Sequence, residues 1–206
     1  PFVEDFESTK AGKAPVTLHL SPSDRPDAIQ VSTEAPAGGK QSLRMTKTPN
    51  LPHGFQPHVY YGTQRYTGGK ARFACELMNS PAHPADVYVG LRDYKVPGRE
   101  YADGPVVRLL ENGDLTAGGR TLAKVPPGTW VQLDFVVDME QPSPAASTRP
   151  ARTYALTVTL AGAKPQAFTD LPYADDRFSR LTWFGVSSVG KPGSVFYIDN
   201  LRLEPR

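Results

Sequence analysis

The sequence predicts an all-β fold: an antiparallel β-sandwich forming one domain over residues 1–206, with its N- and C-terminal strands adjacent. Three observations carry this expectation. Apolar and polar residues alternate with a period of two through most of the apolar runs, the pattern of strands buried on one face. The chain holds 21 Pro and 18 Gly spread between those runs, which suits many turns rather than long helices. No stretch of average helix length sustains a helical period, and strands separated by turns with no intervening helix point away from a βαβ fold.

The elements follow in chain order. Pro1-Phe2-Val3-Glu4-Asp5-Phe6-Glu7 reads as a strand carrying carboxylates. Residues 69–78 set Ala71, Phe73, Cys75 and Leu77 on one face, against Arg72, Ala74, Glu76 and Met78. Residues 86–94 oppose Val87, Val89 and Leu91 to Tyr88, Gly90, Arg92 and Tyr94. Val106–Leu110 and Leu115–Ala117 flank Asn112-Gly113, a hairpin signal because both central positions of a type I′ turn need positive φ. Gly118-Gly119 reads as a second tight turn into Arg120–Ala123. Residues 130–138 bury Val131, Leu133, Phe135 and Val137, and residues 153–160 bury Tyr154, Leu156, Val158 and Leu160. Between them, prolines at 142, 144 and 150 forbid a ladder strand, so 141–150 is an exposed loop. Asp175–Arg180 has room for one helical turn, and residues 181–188 and 195–203 close the fold.

A net charge of +2 gives no electrostatic case for nucleic acid. No apolar run is long enough to span a membrane as a helix. The single cysteine, Cys75, is in phase with Phe73 and Leu77 and is expected as a small buried apolar residue rather than a nucleophile. A chain that starts at Pro1 reads as a processed or excised fragment.

The two ends are the most informative segments. In Val195-Phe196-Tyr197-Ile198-Asp199-Asn200-Leu201-Arg202-Leu203, Phe196 and Ile198 share one face while Leu201 and Leu203 stand in the opposite phase. The apolar face therefore switches at Asp199-Asn200, which requires a bulge or kink. If the end strands lie together, Asp199 with Glu4, Asp5 and Glu7 makes an oxygen-rich cation site. The alternative is an edge strand whose Asp and Asn face water.

An opening Asp-Phe-Glu (5–7), a closing Phe-Tyr-Ile-Asp-Asn-Leu-Arg-Leu (196–203) and Gly128-Thr129-Trp130-Val131-Gln132-Leu133 resemble concanavalin A-like and carbohydrate-binding-module-type jelly-roll domains. Such domains accompany secreted bacterial polysaccharide-degrading enzymes. The resemblance implies a structural calcium held by Glu7 and Asp199. It also implies a non-catalytic carbohydrate-binding or accessory module of a larger polysaccharide-processing protein, extracellular or periplasmic. The alternatives are a polysaccharide lyase or glycoside hydrolase of the same fold, and a structural or adhesion spacer.

The residues assign no catalytic group. Glycoside hydrolysis needs two carboxyl groups facing one cleft, and the i, i+2 pairs are Asp5/Glu7 and Asp138/Glu140, both at strand ends. A lyase needs a His or Tyr base beside groups that neutralise a uronate carboxylate. His53, His58, Tyr60, Tyr61, Arg65 and Tyr66, with Tyr88, Arg92 and Tyr94, supply the types without a known spacing, and His53 and His58 read as solvated loop residues. Trp130 and Trp183 read as packing anchors. If successive strands pair in one sheet, Arg72, Tyr88, Arg92, Tyr94 and Arg108 form one outward face suited to a glycan, preferably anionic. The expected partner is that glycan, bound by a monomer, with neither nucleic acid nor membrane.

Overall fold

The computed structural model describes residues 1–139 and 152–206, and at positions 64 and 65 the backbone alone. The loop expected at 141–150 lies outside the described residues. In chain order the strands are β1 (Phe2–Glu4), β2 (His19–Ser21), β3 (Ile29–Ser32), β4 (Ser42–Thr46) and β5 (His58–Tyr66). There follow β6 (Lys70–Asn79), β7 (Val87–Asp93), β8 (Ala102–Leu109), β9 (Asp114–Ala117) and β10 (Arg120–Lys124). The chain closes with β11 (Val131–Asp138), β12 (Thr153–Leu160), β13 (Gln166–Pro172), β14 (Leu181–Ser188) and β15 (Val195–Pro205). Among the described residues there is no helix, and Asp175–Arg180 forms turns rather than a helical turn.

Two antiparallel sheets form the sandwich. The first runs β13-β12-β11-β6-β15-β4-β3, and the second β10-β9-β8-β7-β14-β5-β2. The long β15 pairs along one edge with β6; its other edge pairs first with β4 and then with β1, through Glu4↔Leu201 to Phe2↔Leu203. The terminal strands are therefore adjacent, as the sequence predicts. The phase switch is also present. The β15–β6 register shifts between Asp199 and Arg202, and Asn200 takes a left-handed φ of 51°. That bulge lets Ile198 and Leu201 both face the core.

The core is the layer between the sheets. Phe73, Cys75 and Leu77 of β6 and Val87, Val89 and Leu91 of β7 are all buried within it. Phe73 meets Phe184 across the layer with ring centroids 4.5 Å apart, and Phe2 meets Tyr61 at 4.3 Å. Each such side chain contributes about 1.5–3 kcal/mol by leaving water. Burial lifts the Cys75 thiol far above its ordinary pKa, so it stays a protonated apolar filler.

The turns differ from expectation in one respect. Gly118 and Gly119 both have positive φ, 55° and 73°, and join β9 to β10 as the type I′ pair. Between β8 and β9 only Gly113 does so, at 87°. There the connection spans four residues, and Asn112 Oδ1 accepts the Asp114 amide instead of Asn112 adopting positive φ.

Candidate functional site

The outward face of the seven-stranded sheet gathers polar and aromatic side chains. Antiparallel pairing sets its side chains in rows across β5, β14, β7 and β8. One row reads His58, Ser187, Tyr88, Arg108; the next Tyr60, Gly185, Gly90, Val106; the third Gly62, Trp183, Arg92, Asp103. Two glycines thus stand opposite each other in the middle of the floor. A Cβ on Gly90 would lie 2.5 Å from Tyr88 Cε1, and one on Gly185 would lie 2.5 Å from Trp183 Cζ2 and 2.8 Å from His58 Nε2. Their missing side chains let these rings lie flat across the sheet, the close approach that glycine inside a strand signals.

Arg92 sits at the centre of this layer. Its Nε donates to Asp103 Oδ1 at 2.8 Å, its Nη1 reaches the Tyr94 hydroxyl at 3.4 Å, and the Tyr88 hydroxyl donates to the same Asp103 oxygen at 3.1 Å. The guanidinium carbon lies 4.2 Å from the Tyr101 ring centroid and 4.6 Å from that of Trp183. Burial alone would lower the Arg92 pKa, but Tyr88, Asp103 and Tyr94 outweigh it and hold the cation charged. Burial pushes Tyr88 up to about 12, with the Asp103 charge adding to it. His58 stacks on Tyr60 at 5.1 Å and tilts against Trp183 at 5.5 Å. Burial and then the charge of Arg92 push its imidazole down to about 4, so it is neutral. Its Nε2 is buried with no hydrogen-bond partner among the described residues.

Above this floor lies a groove in two parts, of about 730 and 460 Å³, which share Phe55, His58 and Tyr94. The walls come from the connections before β5 and after β7, carrying Phe55 and the pair Tyr94 and Tyr101, respectively. Trp183 and Ser187 point outward from β14 yet are buried, because this upper layer covers them.

Of the residues expected to form one face, Tyr88, Arg92 and Tyr94 come together here. Arg108 is their neighbour through Tyr88, directed to Asp86 at 3.9 Å. Arg72 does not join them. It lies on the opposite sheet, where Nε and Nη2 engage Asp134 at 2.9 and 2.5 Å and Nη1 reaches Glu204 at 3.3 Å. The expectation failed because the chain crosses between the sheets after β6. Strands on opposite sheets turn their apolar faces into the same core, so alternation cannot say which sheet a strand joins. His58 is not a loop residue but opens β5; Trp183 is buried among rings, as a packing anchor is, and both line the groove. The signal that marks them is glycine inside strand sequence, Gly62 and Gly185, beside aromatic residues.

At the joined termini, Glu7 and Asp199 address one connection from two sides. Asp199 Oδ2 accepts the amides of Ala37 and Gly38 at 3.0 and 3.4 Å, while Glu7 Oε1 accepts those of Lys40 and Gln41 at 2.7 and 2.9 Å. Asp199 is buried, and desolvation raises its carboxyl to about 6 despite the amides. For a cation this donor set is incomplete: the loop turns N–H groups, not carbonyls, toward both carboxylates. Among the described residues no cluster of three or more His, Cys, Asp or Glu side chains gathers as a metal site.

No protein-family model and no curated protein matches the sequence. Solved structures do match the fold. An endo-β-1,4-glucuronan lyase from the fungus Trichoderma reesei superposes with a TM-score of 0.61 at 12% identity, covering 100% of this chain and 95% of its own. The marine PL-14 alginate lyase from Aplysia kurodai gives 0.56 at 10% identity, with 88% of each chain covered. A GH131 β-glucanase catalytic domain from Podospora anserina gives 0.56 at 15% identity, covering 89% and 81%. The chain therefore has the jelly-roll type of sandwich that these polysaccharide-related proteins share.

Proposed function

We propose that the groove on the seven-stranded sheet binds an acidic polysaccharide, with Arg92 receiving an acidic group of the sugar chain. The observation that carries this reading is the setting of Arg92: a charged guanidinium held by Asp103 and packed against the rings of Tyr101 and Trp183, inside a groove walled by further aromatic rings. Rings stack on the apolar faces of pyranoses, and a guanidinium forks hydrogen bonds to a carboxylate or sulfate. A polysaccharide ligand goes with an extracellular or periplasmic location. Titration of the protein with polyglucuronate, alginate and a neutral β-glucan tests the reading. Tight, salt-sensitive binding to an acidic polymer is expected, with Arg92→Ala weakening it by about 2–4 kcal/mol, as for a central anchor. Equal binding of the neutral glucan, or an unaffected Arg92→Ala variant, overturns it.

A second reading, β-elimination, is supported by His58, Arg92 and Tyr94 lining the same part of the groove. In that reaction a base takes the proton α to the uronate carboxylate, the electron pair forms the C4–C5 double bond, and the bond to O4 breaks as an acid protonates the leaving oxygen. Arg92 would neutralise the carboxylate, Tyr94 places a hydroxyl beside Arg92, and His58, lining the same part of the groove, is the imidazole available as a base. Ultraviolet absorbance of the unsaturated product decides: its appearance with wild type and loss in His58→Gln and Tyr94→Phe supports elimination. Binding without product makes the chain a non-catalytic module.

We further propose that calcium joins Glu7 and Asp199, completed by carbonyls of residues 37–41. What supports it is the convergence of both carboxylates on this one connection. Calcium requires six to eight oxygens, so the amides now facing the carboxylates must give way to carbonyls.

A further inference from the structure

We propose that Phe55 and Tyr94 form a waist dividing the groove into two sugar-binding chambers, and that Lys47 is the positioning residue that holds Phe55 there. The inference rests on the reading of the groove as a glycan site. Phe55 and Tyr94 both line both parts of the groove, and they are left 46% and 38% exposed. The chambers on either side differ in chemistry. One presents Lys95, Thr182 and Tyr60; the other presents Arg92, Tyr88 and Glu100. A sugar chain that bridges Arg92 and the first chamber lies against both rings, since both border both chambers.

Tyr94 directly follows β7 and is fixed to β14, where its amide donates to Thr182 Oγ1 at 2.8 Å. Phe55 has no strand to place it. It lies in the connection between β4 and β5, stacked on His53 at 5.2 Å and edge-on to His58 at 5.7 Å. The residues on either side of it are fixed from beneath. Gln56 donates to Ser21 Oγ at 2.8 Å and accepts the His53 amide at 3.1 Å. Gly54 gives its carbonyl to Lys47 Nζ at 2.6 Å, and the same ammonium reaches the Ser188 carbonyl at the end of β14 at 3.4 Å. Lys47 is only 7% exposed, and no carboxylate pairs with it among the described residues. A buried ammonium facing carbonyls alone is costly, and an apolar side chain would fill the space more cheaply. What the charge does in return is tie the Phe55 connection to the strand that carries Trp183.

Binding of oligoglucuronates, from the disaccharide upward, to the full chain tests this. Wild type is expected to gain affinity in a step once the ligand is long enough for both chambers. Phe55→Ala removes that step, a loss of roughly tenfold on the longer ligands and a smaller one on the disaccharide; Phe55→Trp keeps it. Lys47→Met shows the same length-dependent loss, and the double variant is no weaker than either single, because Lys47 acts through Phe55. Should Lys47→Met not fold, Lys47→Gln, which keeps one donor for Gly54, shows the same pattern with a smaller loss. A length step unaltered in Phe55→Ala, or losses that add in the double variant, overturns the waist while leaving the glycan site standing if Arg92→Ala weakens all lengths alike. Wild type that binds neither oligoglucuronates nor alginate oligosaccharides overturns the anionic-glycan reading and the waist with it.

Discussion

Asp93 illustrates how single residues hold the groove. Buried at the end of β7, its carboxylate accepts the Lys95 amide at 2.7 Å, the Arg180 amide at 3.1 Å and the Ser179 hydroxyl at 3.2 Å. It thus anchors the start of the Tyr94–Tyr101 wall and the approach to β14. Removing it strands several donors in the interior, so Asp93→Ala is expected to cost about 2–4 kcal/mol in denaturant unfolding. His58 governs a pH dependence. The unfolded chain takes up its proton near 6.5 and the folded chain at about 4, so stability falls as pH drops through that window. The ceiling is about 3 kcal/mol, reduced because the ring is only partly buried. Asp199, raised by burial to about 6, acts in the opposite sense: its contribution is full below its unfolded value and lost as pH rises through about 6. The measurement is therefore a comparison of wild type with His58→Gln between pH 7 and 4.5. Wild type should lose more, by about 2 kcal/mol, and parallel profiles would refute the assignment.

At the scale of elements, the β7–β14 pair builds the floor. Gly90 opposite Gly185 opens a trough one residue wide, and Tyr88, Trp183 and His58 lie into it from both sides. Gly185→Ala is expected to keep the two sheets, since Gly185 has an ordinary strand backbone, but to lift the Trp183 ring. The readouts are a shift in tryptophan fluorescence and weakened glycan binding, at a stability cost of about 1–3 kcal/mol. An unchanged spectrum would show that the ring does not depend on the glycine. In β15 the bulge does the comparable work. Asn200 holds φ at 51° and its side chain donates to Glu76 at 3.1 Å. Asn200→Ala should cost about 1 kcal/mol, because a left-handed conformation disfavours a plain Cβ.

The whole molecule is a sandwich closed by its own ends. β1 lies against β15, so the first and last residues of the chain are held in one sheet, and the 37–41 connection is fastened by Glu7 from one terminus and Asp199 from the other. If calcium binds there, it binds the folded state, and a chelator should lower the melting temperature by several degrees with the loss reversed on adding calcium. Glu7→Gln and Asp199→Asn should abolish that response. A melting temperature indifferent to chelator would leave the amide contacts as the whole fastening.

How much of this was readable in advance follows from what alternation encodes. Phe73, Cys75 and Leu77, and Val87, Val89 and Leu91, were assignable to the core because a strand has only two faces. The displaced phase of Leu201 and Leu203 required a bulge at Asp199-Asn200, since a strand cannot turn its apolar residues over without one. The first sixty residues yielded fewer strands in advance, because β2, β3 and β4 are short and lie among prolines and glycines. Composition and periodicity, being local, determined the all-β class and the inward residues. Which sheet each strand joins is a non-local choice, made by the crossings between layers, and only the tertiary structure decided it. That choice sends Arg72 to Asp134 on one face, and on the other brings His58, Trp183 and Arg92, from three separate parts of the chain, into one groove.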